Sequence, residues 1–300
     1  MSEIKNALVT GAAGFIGRPL VQRLTEKDIK VLAVDRNPLG LHGCKSLILD
    51  ISDPGVLDEY VNQDTVIFHL AAKASVQESV IDPAGDFKNT CYGMFQILET
   101  ARRSKCKVIF PSTASIYDPN NDLPVSERSF VKPSSPYGAA KVAGEAYCAV
   151  YHRCYGVDVR IARMFSVYGC GMNRFAIHDI VRNIQKNSKF LPLLGDGTQI
   201  RDYLYIDDVI DGLYQIATTG SAGEDYNLAS GEGISIMELA EIISSLMGYP
   251  NIEIKPSGQS FRGDVPKWYG DISKISSIGF KQTVSLKDGL SRTIKWLIDN

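Results

Sequence analysis

A glycine-rich turn near the start of the chain restricts the fold more than any other feature. Residues 10–17 read TGAAGFIG, follow a short apolar run and precede the helical periodicity of residues 19–26. Glycines allow a tight turn, and the start of a helix offers unpaired N–H groups to an anion. The spacing is GxxGxxG, which can also be a simple strand-to-helix turn. Its place after the first strand favours a dinucleotide site. The expected contacts are Gly11, Gly14, Phe15, Ile16 and Gly17.

Strand and helix patterns alternate through the first half of the chain. Residues 65–70 are β-branched and apolar, as in a strand buried on both faces, and residues 87–103 and 137–155 have the pattern of long helices. Repeated βα units of this kind predict an α/β fold with a doubly wound parallel (Rossmann) sheet. The other predicted strands of this half are residues 7–10, 31–35, 47–50, 107–111 and 158–164.

The pattern becomes less regular after about residue 166. We predict helices over residues 174–185, 207–218, 235–247 and 288–300, and a strand over residues 203–206. We expect a cofactor-binding Rossmann domain of residues 1–165, to which residues 202–230 return, and a smaller C-terminal substrate-binding region of residues 166–201 and 231–300.

Composition excludes several classes of protein. The chain has 300 residues, a net charge of −2 and 44% hydrophobic residues, enough for a large core and without the basic surface of a nucleic-acid binder. Its six cysteines contain no CxxC pair and its four histidines show no metal-ligand spacing, so we expect reduced thiols and no metal site. Without the pattern of a signal peptide or a membrane span, the chain is expected to be cytoplasmic and free of membrane.

An acidic residue closes the second predicted strand. A carboxylate at Asp35 can accept hydrogen bonds from both ribose hydroxyls of an adenosine and would repel a 2′-phosphate, which favours NAD over NADP. The neighbouring Arg36 could instead pair with such a phosphate. At the ends of the next two strands we expect five further cofactor contacts, at Asp50, Ile51, Leu70, Ala71 and Ala72. Asp50 could equally be a simple strand-end acid.

Tyr137 and Lys141 are the candidate catalytic pair. Four residues apart on a predicted helix, they lie on one face about one turn from each other. A nearby ammonium favours the phenolate and lowers the usual tyrosine pKa of about 10. Thr113 follows the fifth strand, where ligands bind in a doubly wound sheet, although Ser/Thr clusters at strand ends are often only turn residues.

Seven motifs complete the pattern. In order, they read TGAAGFIG, HLAAKASV, FKNTCYG, STASIY, SPYGAAK, GDGTQIRDYLYIDD and GDVPKWYGDISK. This set resembles the extended short-chain dehydrogenase/reductases, and within them the nucleotide-sugar epimerase/dehydratase group, above all the UDP-glucose 4-epimerases. The resemblance covers nearly the whole chain and is more specific for the family than for the sugar.

The resemblance implies NAD-dependent epimerisation at C4 of a nucleotide-linked sugar, a UDP-hexose or UDP-uronic acid. Tyr137 would remove the proton of the 4-hydroxyl, Lys141 would contact the nicotinamide ribose and lower the tyrosine pKa, and Thr113 would hydrogen-bond the 4-oxygen. Family dehydratases carry acids just after this threonine, whereas Ala114 and Ser115 stand here, which disfavours elimination of water.

Further residues match positions of the family. Asn89 would support the cofactor site, or be a polar contact at a helix start. The candidates for substrate binding are Ser115, Ser166, Arg201, Arg262 and Asp264. Two arginines suit a diphosphate because each offers a planar fork of donors. The alternatives are a nucleotide-sugar 4-ketoreductase and a non-catalytic nucleotide-sensing protein of the same fold. Relatives also pair through the two long helices, so the resemblance implies a homodimer.

Overall fold

The computed structural model describes residues 4–259, 263 and 265–300. The strands of these residues are, in chain order, β1 (Asn6–Thr10), β2 (Lys30–Asp35), β3 (Lys45–Ile48), β4 (Thr65–His69), β5 (Lys107–Thr113), β6 (Val159–Met164), β7 (Ser166–Tyr168), β8 (Phe190–Leu193), β9 (Ile200–Arg201), β10 (Tyr203–Tyr205), β11 (Asp225–Leu228), β12 (Ile234–Ser235) and β13 (Glu253–Pro256). The α-helices are α1 (Gly17–Glu26), α2 (Val76–Ile81), α3 (Pro83–Phe87), α4 (Gly93–Ser104), α5 (Pro136–Tyr155), α6 (Phe175–Lys186), α7 (Ile206–Thr219), α8 (Ile236–Leu246), α9 (Ser273–Ser277) and α10 (Leu286–Asp299).

Seven parallel strands form the main sheet, in the order β11-β6-β5-β4-β1-β2-β3. The chain begins in the middle, builds outward to β3, and then crosses back past β1 to build the other side. The carboxyl ends of β1 and β4 therefore lie side by side at the point where the direction reverses, which is where ligands bind in such sheets. The predicted doubly wound α/β fold is confirmed.

Two hydrophobic clusters cover the two faces of the sheet. One joins the inner faces of α1 and α7 to β1 and β2, and continues into α6, α8 and α10. The other joins α4 and α5 to β4 and β5 through side chains such as Met94, Ile97 and Phe110. Successive side chains of a strand point to opposite faces, so the buried strands need apolar residues on both sides.

The C-terminal half contributes one strand to the main sheet and several outside it. Strand β11 pairs with β6 at the sheet edge, whereas the two-stranded pairs β7–β10, β8–β13 and β9–β12 lie apart from it. The strands β7, β8, β11 and β13 are absent from the sequence prediction because each has only three or four residues, too few for a periodic pattern. The proposed domain limits stay a prediction.

A fully buried carboxylate holds several C-terminal segments together. Asp202 accepts hydrogen bonds from the backbone N–H of Ser230 at 2.7 Å, Gly231 at 3.0 Å and Gly270 at 3.1 Å, and from the Ser230 hydroxyl at 2.7 Å. Four donors satisfy a buried acid that would otherwise be costly. The segment that carries Arg201 is thus fixed to the loops after β11 and before α9.

The helix predicted for residues 87–103 is longer and contains an irregular turn. It begins at Pro83 with Asp82 as its N-cap, which accepts a hydrogen bond from the Gly85 N–H at 2.9 Å. Residues Lys88–Tyr92 then form a π-helical turn between α3 and α4. Such turns are rare and often mark functional sites because they rotate the preceding side chains relative to those that follow. Periodicity alone does not reveal the extra residue.

We predict that acid weakens this fold through His69. Burial lowers the pKa of His69 from 6.5 to about 3, and its Nδ1 lies 2.9 Å from the Thr10 hydroxyl. The unfolded chain binds a proton that the folded chain does not between these values, so the stability contributed by neutral His69 is lost as the pH falls from 6.5 towards 3. Between neutral pH and about pH 5, the free energy of unfolding should fall about 2 kcal/mol more in the wild type than in His69→Gln. Urea unfolding measures this, and equal pH dependence would contradict it.

Candidate active site

The glycine-rich turn after β1 is packed tightly against the turn after β4. Gly11 has a φ of +68°, and a Cβ placed on it would lie 2.6 Å from the Ala71 nitrogen and 2.8 Å from the Leu70 carbonyl oxygen. A Cβ on Gly17 would lie 2.2 Å from the Gly11 oxygen. These two glycines are therefore required for the fold of the turn.

Gly14 differs from Gly11 and Gly17 because it is exposed to solvent. The one atom that a Cβ on Gly14 would approach within 4 Å is the Gly11 oxygen, at 3.1 Å. Phe15 and Ile16 are partly buried and pack on the core, which fixes the entry into α1. The start of α1 carries no side-chain cap and no acid in its first turn. The Arg18 N–H already donates to the Gly14 carbonyl at 3.1 Å and Pro19 has no N–H, so the groups that can donate to a phosphate are the N–H groups of residues 15–17.

Asp35 lies beside this turn at the end of β2. One carboxylate oxygen accepts a hydrogen bond from the Ala13 N–H at 3.0 Å, and the other accepts one from the Asn37 N–H at 2.9 Å. A carboxylate has about four acceptor positions, so the oriented group can still receive two ribose hydroxyls. Arg36 lies 3.9 Å from a carboxylate oxygen of Asp50, so a charged neighbour already faces it.

The remaining predicted cofactor residues lie around the same edge of the sheet. Asp50 follows β3, which ends at Ile48 rather than at residue 50, and accepts hydrogen bonds from the N–H and hydroxyl of Ser52. Ile51 is buried against α4 near Gly93. Ala72 continues the turn formed by Leu70 and Ala71. A cradle of small residues, an uncapped helix start and an oriented carboxylate fit a dinucleotide.

The close packing of α5 on the sheet brings the catalytic candidates together. A Cβ on Gly138 would lie 2.6 Å from the Ser115 carbonyl oxygen, and one on Gly144 would lie 2.8 Å from the Phe110 ring. Both glycines let the helix approach the end of β5 more closely than any other residue would. Ser135 caps the helix by accepting a hydrogen bond from the Gly138 N–H. Tyr137 is thereby placed beside the residues that follow β5.

Thr113 and Ser115 form a small hydroxyl cluster next to Tyr137. The Thr113 hydroxyl donates to the Ser115 hydroxyl at 3.3 Å, and the Ser115 N–H donates to the Thr113 hydroxyl at 3.2 Å. Thr113 also faces the Tyr137 side chain and lowers the pKa of that phenol. Tyr137 and Thr113, which are predicted at the sugar 4-oxygen, therefore lie together with Ser115, a predicted substrate contact.

The tyrosine pKa does not shift in the expected direction. Burial raises the pKa of Tyr137 to about 12, and the Thr113 hydroxyl opposes this shift only in part. Lys141 does not lower it as expected, because its ammonium donates a 2.6 Å hydrogen bond to the Pro111 carbonyl and lies 4.7 Å from the centre of the Phe110 ring. The protein groups alone thus hold Tyr137 as a neutral phenol at neutral pH, and a phenolate needs a further positive charge.

Lys141 is itself strongly affected by its surroundings. It is 4% exposed, and burial lowers its pKa from 10.5 to about 8. Asn89 lies in the π-helical turn and donates to the Gly85 carbonyl of its own helix. This contact agrees with the reading of Asn89 as a polar contact within a helix, and a role at the cofactor stays a prediction.

The substrate candidates are spread along the C-terminal half. Ser166 is the first residue of β7, and its N–H donates to the backbone carbonyl of Asp202. The Arg201 guanidinium donates to the Ile200 carbonyl at 2.8 Å and lies 4.8 Å from the centre of the Trp268 ring. Arg262 and Asp264 lie outside the described residues.

Two charged residues near the site were missed. Asp86 acts on the pKa of both Tyr137 and Lys141 but lies in a helix turn without a motif. Arg174 precedes α6, lowers the pKa of Tyr137 and donates to the Ala74 carbonyl at 3.1 Å, so it reaches from the C-terminal half to the turn after β4. Only the fold brings these residues to the tyrosine.

The described residues contain no group of three His, Cys, Asp or Glu side chains that could hold a metal ion. No helix among residues 4–259 and 265–300 is long and apolar enough to cross a membrane.

Residues 7–229 match the model of the NAD dependent epimerase/dehydratase family. The chain belongs to this family. The UDP-glucose 4-epimerase of Mycolicibacterium smegmatis is 32% identical, with 96% of this chain and 97% of that protein covered. The family resemblance and the NAD cofactor predicted from the sequence are confirmed.

Two solved structures share the whole architecture. A crystal structure of UDP-glucuronic acid 4-epimerase from Bacillus cereus, with UDP-glucuronic acid and NAD, is 31% identical and has a TM-score of 0.90 over 98% of this chain and 99% of that one. A dTDP-glucose 4,6-dehydratase from Streptomyces venezuelae with NAD bound is 29% identical and also has a TM-score of 0.90, covering 98% and 97%. The fold therefore does not by itself separate epimerase from dehydratase.

We expect different effects from alanine at two neighbouring glycines. Gly14→Ala should retain stability within about 1 kcal/mol but weaken NAD binding at least about tenfold, because its Cβ projects from an exposed position at the helix start. Gly11→Ala should cost about 1–3 kcal/mol of stability or more, since it combines a positive φ with a backbone clash. Calorimetry with NAD and urea unfolding separate the effects. A Gly14→Ala variant with unchanged NAD affinity would refute the assignment of this glycine turn to NAD binding.

Proposed function

We propose that this protein is an NAD-dependent epimerase that inverts C4 of a UDP-linked hexose or uronic acid through a 4-keto sugar. The observation that carries the proposal is the composition of the cluster around Tyr137. Its hydroxyl faces Thr113, and the next two residues, Ala114 and Ser115, are buried and carry no carboxyl group. A site with a base and hydroxyl donors but no acid at these positions favours removal and return of hydrogen at one carbon over elimination of water.

The roles of the residues follow from their positions. Tyr137 removes the proton of the 4-hydroxyl, and Thr113 donates a hydrogen bond that aligns the 4-oxygen. Lys141 lies one turn along the same helix and supplies positive charge to this face. NAD, when bound, supplies a hydride acceptor and a positive charge that favours the phenolate. Because hydride returns to the sugar, no external reductant is consumed.

The cofactor would be held by the residues described above. The glycine turn and the start of α1 suit the pyrophosphate, Asp35 suits the adenosine ribose, and the face of Tyr137 and Lys141 suits the nicotinamide ribose. Ser115 and Ser166 would contact the sugar. Arg201 would bind the diphosphate, as would Arg262 with Asp264 near the nucleoside. The UDP group is supported by the names of the M. smegmatis and B. cereus relatives.

We further propose a homodimer through α4 and α5. On the outer face of α5, Tyr147 and Val150 are 44% and 50% exposed, and Tyr155 is also exposed. Large apolar side chains in one exposed patch mark an interaction surface. Val150→Glu should give a monomer in sedimentation experiments at micromolar concentration while Lys287→Glu, on α10, should not. A monomeric wild type would refute the dimer.

Tyr137→Phe tests the catalytic proposal. The variant should retain NAD binding and lose about 10²–10⁴-fold in kcat for interconversion of a UDP-sugar with its 4-epimer, because the base is removed and the ring is kept. Tyr147→Phe, on the outer face of the same helix, is the matched control and should keep its kcat. Nuclear magnetic resonance of the sugar product measures both. Strict dependence of turnover on added NADPH would instead indicate a ketoreductase, and full activity of Tyr137→Phe would remove the tyrosine from the reaction.

A further inference from the structure

A buried carboxylate on a helix that packs against α5 has no hydrogen-bond partner. Asp86 lies in α3 and is 1% exposed, and neither of its carboxylate oxygens has a hydrogen-bond partner in the described residues. The Thr90 hydroxyl, one turn further along, faces this carboxylate and lowers the pKa of Asp86, but the two do not reach hydrogen-bond geometry. Burying an unpaired acid destabilises a protein. Its presence therefore calls for a reason other than stability.

The element that packs on Asp86 carries the catalytic lysine. Helix α3 lies against α5, which holds Lys141 at 4% exposure. An ammonium has three donors, and Lys141 uses one of them for the Pro111 carbonyl. Two donors remain, and α3 brings the two carboxylate oxygens without partners to the helix that carries this ammonium. A buried ammonium needs an opposite charge to remain protonated.

We propose that Asp86 is a positioning residue for the reaction: it is the buried counter-charge that keeps Lys141 protonated and directed at the catalytic face. This inference rests on the proposed function, since it deepens the role of Lys141. Asp86 acts on the reaction through the lysine and not by contact with the sugar.

The effect of Asp86 on the pKa of Lys141, and that of Lys141 on the pKa of Asp86, both agree with this assignment. Asp86 is the strongest of the groups that raise the pKa of Lys141 against the effect of burial. Burial likewise raises the pKa of Asp86, and Lys141 is the strongest of the groups that lower it. The other charges that act on Asp86 are Lys73, in the turn after β4, and Asp82, at the start of α3. Asp86 also raises the pKa of Tyr137, which disfavours the phenolate, so any benefit of Asp86 to the reaction comes through Lys141.

The titration of Lys141, rather than stability, decides this proposal. Removing the charge of Asp86 leaves the buried Lys141 ammonium without its counter-charge, so a loss of stability is expected here as well. The same change should lower the pKa of Lys141 below about 8, so that the amine becomes neutral at working pH. A purely structural role predicts a loss of stability with no change in the titration of the lysine.

Asp86→Asn tests this, with Asp82→Asn as the matched control. Both remove one negative charge from the same short helix, but Asp82 is largely exposed and asparagine preserves its N-cap. The Lys141 side chain is titrated by nuclear magnetic resonance in the NAD-loaded protein with labelled lysine, its signal identified by its loss in Lys141→Met. In Asp86→Asn the lysine pKa and the alkaline limb of kcat should both move down by roughly one pH unit. In Asp82→Asn neither should move by as much.

Each result decides a separate question. An unchanged Lys141 titration in Asp86→Asn overturns the role of Asp86, whether or not the protein turns over a sugar. A shifted titration in a protein that epimerises no UDP-sugar keeps the Asp86–Lys141 pair and refutes the proposed function. A folded Asp86→Asn protein with lowered stability and an unshifted alkaline limb would make Asp86 structural.

Discussion

The close contact between helix α5 and strand β5 is the constraint on which the rest of the site depends. Gly138 and Gly144 remove the side chains that would hold the helix away from the Ser115 carbonyl and the Phe110 ring. At this distance Tyr137 and Lys141 are buried and Tyr137 faces Thr113. The glycine turn after β1 and the turn after β4 then form the adjacent wall, so cofactor and sugar sites share one edge of the sheet.

Burial has a cost that the site must offset with charge. It raises the pKa of Tyr137 and lowers that of Lys141, which moves both groups away from the phenolate and ammonium that the reaction needs. Thr113 and Arg174 lower the pKa of Tyr137, whereas Asp86 raises the pKa of both groups, which favours the ammonium and opposes the phenolate. The site is therefore an arrangement in which the protein supplies geometry and part of the charge, and the cofactor completes the charge balance.

Much of this could be predicted from the sequence, for identifiable reasons. The buried strands, the glycine turn and the long helix with Tyr137 and Lys141 have local patterns that physical chemistry restricts tightly. The π-helical turn at Lys88–Tyr92 and the short strands leave no such pattern. The convergence of Asp86 and Arg174 on Tyr137 depends on the packing of segments distant in sequence. The rise of the tyrosine pKa depends on burial, which the spacing of two residues cannot reveal.

In the proposed reaction, hydrogen leaves and returns at C4 of one sugar. A UDP-hexose or UDP-uronic acid deuterated at C4 tests this directly in ordinary water with catalytic NAD and no added reductant. The proposed reaction gives a 4-epimer that retains its deuterium at C4, since the same hydrogen is returned. Loss of the label to solvent, or formation of a dehydrated sugar that has lost its 6-oxygen, would contradict it.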